Sequence, residues 1–154
     1  YKLCGKAPSR YRPSAEALRR RLMRGLELYQ IDTLVDLINL VSLRTGYSIG
    51  GFDADKIQGD SLELGIGRAE EPFEGIGRGM LNIEGLPVYR DQAGGIGTPT
   101  SDNERTKMGL ETRRILAIVN GYNGREGLAE AAGMIQELLR KYAASNRGTV
   151  FYFE

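Results

Sequence analysis

Between Tyr47 and Gly97 the chain never sustains an apolar run long enough for a helix. Short apolar segments, SIGGF, SLELGI, GMLNI and LPVYR, alternate with glycine-rich breaks such as GIGRG and AGGIG. Segments of four to six residues bounded by glycine read as short strands with tight turns. Such a rhythm excludes a helical bundle and points to a curled, barrel-like sheet. Helical patterns stand outside this region. Pro13-Ser14-Ala15-Glu16 reads as a helix start, with Ser14 as cap and a stop near Arg24 and Gly25. Leu18 and Leu22, four apart, predict its packed side.

IDTLVDLINLVSLRTG gives the clearest helix, capped by Asp32 or Thr33 and ended by Gly46. Leu34, Val35, Leu37, Ile38, Val41 and Leu43 make it apolar nearly all round, so it is expected to be largely buried. Asp32, Asp36 and Asn39 form its one polar line. Such a line must meet water, a partner or a ligand, because an unbonded buried polar group costs about 1–3 kcal/mol. ETRRILAIVNGY contains a strand from about Arg114 to Val119, REGLAEAAGMIQELLRKYAA a helix, and TVFYF a final strand. The order of helices, many strands, helix and strand predicts an α+β fold, a Greek-key barrel-like sheet flanked by helices. One domain over 1–154 is expected: a basic arm and helix at 1–24, a helix plus strand-rich core at 25–120, and a terminal helix and strand at 121–154. The chain begins at Tyr1 without Met, and an N-terminal portion is expected to precede it.

Of 154 residues none is histidine and one, Cys4, is cysteine. That excludes Ser-His-Asp and Cys-His catalysis, thiolate zinc clusters and an internal disulfide framework, and fits a reducing, cytoplasmic setting. No apolar run approaches membrane-spanning length, so no membrane association is expected. FDADKIQGD lacks the glycine and glutamate of a calcium loop and reads as a turn with Asx caps. Neither GIGRG nor AGGIG fits a phosphate-binding pattern. No metal or cofactor is expected. The net charge of +1 conceals an asymmetry: residues 1–24 carry eight basic groups and only Glu16 as acid, which leaves a net of −6 on the rest. Arg19, Arg20, Arg21 and Arg24 therefore either meet a polyanion such as RNA or form a solvated helix face.

The stretch TPTSDNERT, Thr98 to Thr106, packs hydroxyl, carboxylate, amide and guanidinium groups between a glycine turn and an apolar run. Turn and cap chemistry accounts for such a composition, and so does the wall of a polar pocket.

Several segments together resemble one family: PSRYRPSAEAL, LYQIDTLVDLINLVSLRTGYSIGGFDADKIQGD, EEPFEGIGRGMLNIEGLPVYRDQAGGIGTPTSD and ERTKMGLETRRILAIVN. They are similar to the B3/B4 domain of the phenylalanyl-tRNA synthetase beta chain, especially its stand-alone forms, over roughly Arg10 to Asn120. The order V-D-x-x-N, then G-x5-F-D-x-D-x-I-x-G, then a glycine pair and a Ser-Asp loop carries the likeness. In the synthetase this domain holds the editing site that hydrolyses tyrosine wrongly esterified to the tRNA for phenylalanine. The resemblance implies that Asn39 borders the pocket, that Gly94 and Gly95 leave space for the amino acid, and that Glu111 recognises a side-chain hydroxyl. Where many bacterial synthetases have a histidine, this chain has Gly50, which would stand at the pocket mouth. Thr98, Thr100 and Ser101 would bond the ribose, adenine or amino group, and Glu111 and Asp102 are the remaining bases. Three readings follow: hydrolytic editing of a mischarged tRNA, a non-catalytic module binding the tRNA acceptor end or a synthetase, and an enzyme acting on a free amino acid or small amine.

Overall fold

The computed structural model describes residues 1–122, 124–146 and 148–153. Three helices, α1 (Ser14–Met23), α2 (Thr33–Thr45) and α3 (Leu128–Tyr142), accompany seven short strands. The strands are β1 (Ile49–Asp53), β2 (Glu63–Ile66), β3 (Glu74–Gly75), β4 (Gly79–Met80), β5 (Pro87–Asp91), β6 (Gly94–Gly97) and β7 (Ile115–Val119). All pairing is antiparallel: β1 with β7, β2 with β5 and β5 with β6, and β3 with β4. The fold is α+β, as expected, with helices against antiparallel sheet. The strands form three small sheets rather than a closed barrel.

Local chemistry explains α2. The Asp32 carboxylate accepts the Val35 N–H at 3.0 Å, and Gly46 closes the helix in the left-handed conformation at φ 83°. Replacing Asp32 by Ala is expected to cost about 1 kcal/mol, read as a lowered denaturation midpoint at constant slope. An unchanged midpoint would show that α2 is held by packing alone. Ile38 and Val41 enter a core with Ile49, Met108, Ala131, Ile135 and Leu139, so α2 and α3 cover the β1–β7 pair. A second core, Phe73, Ile83, Leu86 and Val88, lies under the β2–β5–β6 sheet.

Four local expectations differ from what the chain does. Ser14 does not cap α1. Pro13 occupies that position without a side-chain bond, and the first N–H groups are taken from afar, Ser14 by the Pro99 carbonyl at 2.7 Å and Ala15 by Ser48 Oγ at 3.2 Å. Leu22 is not packed but exposed, and Ala15 supplies the buried contact. AGGIG is not a turn but strand β6, its glycines letting neighbouring rings approach. TVFYF is not a strand: residues 149–153 are irregular, and Phe151 and Phe153 are exposed, because no strand lies beside them.

GIGRG does turn the β3–β4 hairpin, and the Asp53 carboxylate accepts the Asp55 N–H as an Asx cap.

Candidate functional site

The loop from Thr98 to Lys107 ties the three sheets together. Isolated bridges join Asp102 to Gly97 on β6, Asn103 to Gly75 on β3, and Lys107 to Phe52 on β1. Its polar side chains are mostly spent on this task. Thr98 Oγ1 donates to the Ser101 carbonyl and accepts from the Thr100 and Ser101 N–H groups. Thr100 Oγ1 donates to the Tyr11 carbonyl and meets the Tyr1 hydroxyl at 2.5 Å. Asn103 caps the short 3-10 turn Glu104–Thr106 through the Arg105 N–H. Arg105 grips Asp91 with two parallel bonds of 2.9 and 2.8 Å. The Thr98 hydroxyl, expected to face a ligand, closes its own turn. The Thr100 hydroxyl fastens the N-terminal segment, and the Ser101 hydroxyl stands 3.4 Å from Arg78.

Two residues are exceptions: Thr106 Oγ1 is buried without a hydrogen-bond partner among the described residues, and Asp102 is poorly partnered. Its Oδ2 accepts one long bond of 3.3 Å from the Gly51 N–H, and no donor or cation among the described residues reaches Oδ1. The residue keeps partial exposure, yet protein atoms crowd its carboxylate. Burial pushes the Asp102 carboxyl up to about 7, opposed only by the Gly51 N–H. A group titrating there can hold or release a proton under ordinary conditions.

The crowding has a definite source. A β-carbon built on Gly50 would lie 2.8 Å from Phe52 Cζ and 3.3 Å from Asp102 Oδ1; one on Gly97 would lie 2.5 and 3.0 Å from the same atoms. The bare backbones of β1 and β6 thus admit the Phe52 ring and the Asp102 carboxylate side by side. Gly50 is buried among them and is not at a mouth. Gly95 gives its space to Phe73, whose ring would stand 3.0 Å from an added β-carbon. Only Gly94, at φ 128°, faces open space.

The other predicted residues lie apart. Asn39 sits half-buried on α2, and its side chain makes no hydrogen bond among the described residues. The Glu111 side chain is 67% exposed and pairs with Lys56 Nζ at 2.8 Å, which holds its carboxyl below the usual range. No hydrogen bond or ion pair among the described residues joins Glu111 or Asn39 to Asp102. Surface depressions of about 510 Å³ near Arg140 and about 420 Å³ near Glu70 contain none of the predicted residues.

On α1 the arginines are partly committed. Arg19 donates twice to the Leu43 carbonyl at the end of α2, and Arg20 pairs with Glu16 at 2.6 Å. Arg21 lies 3.8 Å above the Tyr29 ring, and Arg24 is exposed with no side-chain hydrogen bond, ion pair or ring contact among the described residues.

Sequence reasoning missed Phe52, because its role depends on which glycines oppose it across two sheets. It also missed Asn120, which accepts from the Tyr89 and Tyr122 hydroxyls and donates to the Ser48 carbonyl. The available signal was bare glycines, Gly50 and Gly97, on strands of two different sheets around the one aromatic Phe52.

The α+β fold with antiparallel sheets is consistent with a B3/4-like domain. The family model for the B3/4 domain matches residues 1–142, and the chain belongs to this family, whose domain is found in the phenylalanyl-tRNA synthetase beta chain. No curated protein matches the chain. No helix among the described residues is long and apolar enough to cross a membrane.

Proposed function

We propose that this protein binds the 3′ end of an aminoacyl-tRNA and hydrolyses a wrongly attached amino acid, with Asp102 as the base. The single supporting observation is the Asp102 carboxylate, crowded by Phe52 and two bare strand positions, with one oxygen that no donor or cation among the described residues reaches. Membership of the B3/4 family supports association with tRNA or a synthetase.

The chemistry is modest. An aminoacyl ester is activated, so a positioned water suffices as nucleophile. Asp102 takes the water proton as its oxygen bonds to the ester carbonyl carbon. The tetrahedral intermediate collapses, the ribose oxygen leaves and recovers the proton, and free amino acid and tRNA result. A base titrating near 7 combines a usable ionised fraction with basicity. No cofactor enters this sequence.

Deacylation of a panel of mischarged tRNAs tests it. The parent should release at least one amino acid, with a rate above the spontaneous reaction that rises with pH and levels off above about 7. Asp102→Asn should slow that release by about 10²- to 10⁴-fold. Equal rates for parent and variant would remove Asp102 from the chemistry.

A second reading, a tRNA- or synthetase-binding module without chemistry, draws on the exposed Glu111 ion pair and on the rings that fill the space beside Gly50 and Gly95. The basic face separates binding from packing. Arg19 and Arg21 serve the fold, so the informative variants are Arg20→Ala and Arg24→Ala. If this face contacts RNA, each should lower the salt dependence of tRNA affinity by about 0.7–0.9 per lost phosphate contact. A slope identical to the parent's would make it a solvated face.

A further inference from the structure

Two surface features away from Asp102 complement each other in charge and in apolar character. The first is the depression of about 420 Å³ formed by the segment before β3 and the segment that leaves β4. Pro72, Met80 and Leu81 supply its apolar lining, and Glu70, Glu71 and Glu84 its acidic lining. The Glu71 carboxylate is spent on Arg90 at 2.6 Å. Glu70 and Glu84 are exposed, and their side chains make no hydrogen bond or ion pair among the described residues. Met80, between them in the sequence, is 69% exposed.

The second feature is the C-terminal end of α1. Gly25 reverses the chain there, its N–H donating to the Leu22 carbonyl and the Leu26 N–H to that of Arg21. The reversal leaves Leu22, Met23 and Leu26 on the surface, Met23 at 86% exposed. Arg20 and Arg24, one helical turn apart, accompany them. Arg24 is uncommitted, and Arg20 holds only an exposed pair with Glu16, which contributes little. An apolar set rimmed by charge marks an interaction surface, whereas single exposed apolar residues do not.

We infer that the protein associates with a second copy of itself, the cationic apolar end of α1 in one copy entering the acidic apolar depression of the other. Charge complementarity selects this occupant. Arg20 and Arg24 are the sign that Glu70 and Glu84 lack, and Met23 offers the apolar tip that Pro72, Met80 and Leu81 would cover. The two patches differ, so the contact is head-to-tail, and two copies that exchange it reciprocally close into a pair. A contact of this size is reversible, and salt should weaken its charged part. Neither patch contains Asp102, so the inference stands apart from the deacylase reading.

Sedimentation velocity on the full chain, over a wide range of protein concentration and at low and high salt, tests it. The parent should pass from single copies to larger species as concentration rises, and salt should oppose that passage. Glu70→Lys with Glu84→Lys should weaken association about tenfold or more, and so should Arg20→Glu with Arg24→Glu, because like charges then face each other. A chain carrying all four reversals should associate again, as should a mixture of the two double variants, since opposite signs meet once more. Recovery in either case separates lost contact from lost folding. A parent that stays single at every concentration would overturn the inference. Double variants that associate as the parent does would overturn it too, as would four reversals and a mixture that both stay apart. If the parent stays single while Arg20→Glu with Arg24→Glu lowers tRNA affinity, the end of α1 serves RNA and the inference falls.

Discussion

Arg105→Ala is expected to destabilise the protein by about 3 kcal/mol, the lower end of the range for a buried ion pair that loses one partner. The Asp91 side chain has no exposed surface, while that of Arg105 is 31% exposed. Burial by itself would raise the Asp91 carboxyl. The Arg105 guanidinium and the Gln58 and Ala93 N–H groups outweigh it and hold the carboxyl below the usual range. Removing Arg105 leaves a buried charge with two backbone donors, hence the lower end. The loss should be full at neutral pH and shrink in acid. Asp91 has a depressed folded pKa, so its contribution is present above the unfolded value near 4 and fades as pH falls through the folded one. Arg105→Lys keeps the charge but not the two-pronged geometry, and should recover only part of the loss. Chemical denaturation at pH 7 and pH 3 checks all three statements. An Arg105→Ala protein as stable as the parent at pH 7 would mean that water replaces the guanidinium at no cost.

That pair also shows what the fold asks of the Thr98–Lys107 loop. Asp91 ends β5 and holds the Gln58 N–H beyond β1, so Arg105 clamps the loop to two sheets while three isolated bridges fasten it to all of them. With the sheets not closed into a barrel, this loop is what joins them. The density of polar groups in TPTSDNERT is therefore structural for Thr98, Thr100, Asn103 and Arg105. Asp102, with one weak donor, and Thr106, whose buried Oγ1 meets no hydrogen-bond partner among the described residues, are the ones left without an adequate partner.

What could be read from the sequence was what neighbouring residues decide. Asp32, Val35 and Gly46 lie within one helix, so its caps were legible from their order alone. The GIGRG hairpin and the Asp53 turn are equally local. The α1 cap was not legible, since its donors go to Ser48 and Pro99, 33 and 85 positions away in the chain. AGGIG misled for a similar reason. Glycine weakens a strand in isolation, yet here bare positions are required because Phe52 and Phe73 press against them. The Ser-Asp loop stood out by its density of polar groups, but the roles within it follow from partners on other sheets. Asn39 stood in the polar line of α2, but its pocket role and that of Glu111 came from resemblance alone, and no local signal distinguishes a pocket glutamate from one paired with Lys56 in solvent.

Asp102→Asn is expected to stabilise the folded protein at neutral pH and above while abolishing the proposed activity. The carboxyl titrates at about 7 in the fold and near 4 in an unfolded chain. Below about pH 4 both states hold the proton. Between about 4 and 7 the folded state keeps a proton that the unfolded chain has released, so stability falls as pH rises through this window. Above 7 both are ionised, and the fold carries a charge with one weak donor beside an apolar ring. A shift of that size corresponds to about 4 kcal/mol at full strength. Partial exposure of Asp102, and the need to place a carboxamide N–H₂ where an oxygen stood, reduce the expected gain to about 1–3 kcal/mol. The asparagine oxygen can keep the Gly51 N–H, so the loop geometry should survive. Denaturation curves at pH 3 and pH 8 decide the matter: the variant should gain at pH 8 and differ little at pH 3, where both states of the parent hold the proton. Equal stability at both would mean that Asp102 is solvated enough to ionise normally, and its claim as a base near neutrality would go with the shift. A gain in stability together with a loss of deacylation is the pattern of a site held against the interests of the fold. A gain in stability with deacylation unchanged would make Asp102 a buried acid that serves neither.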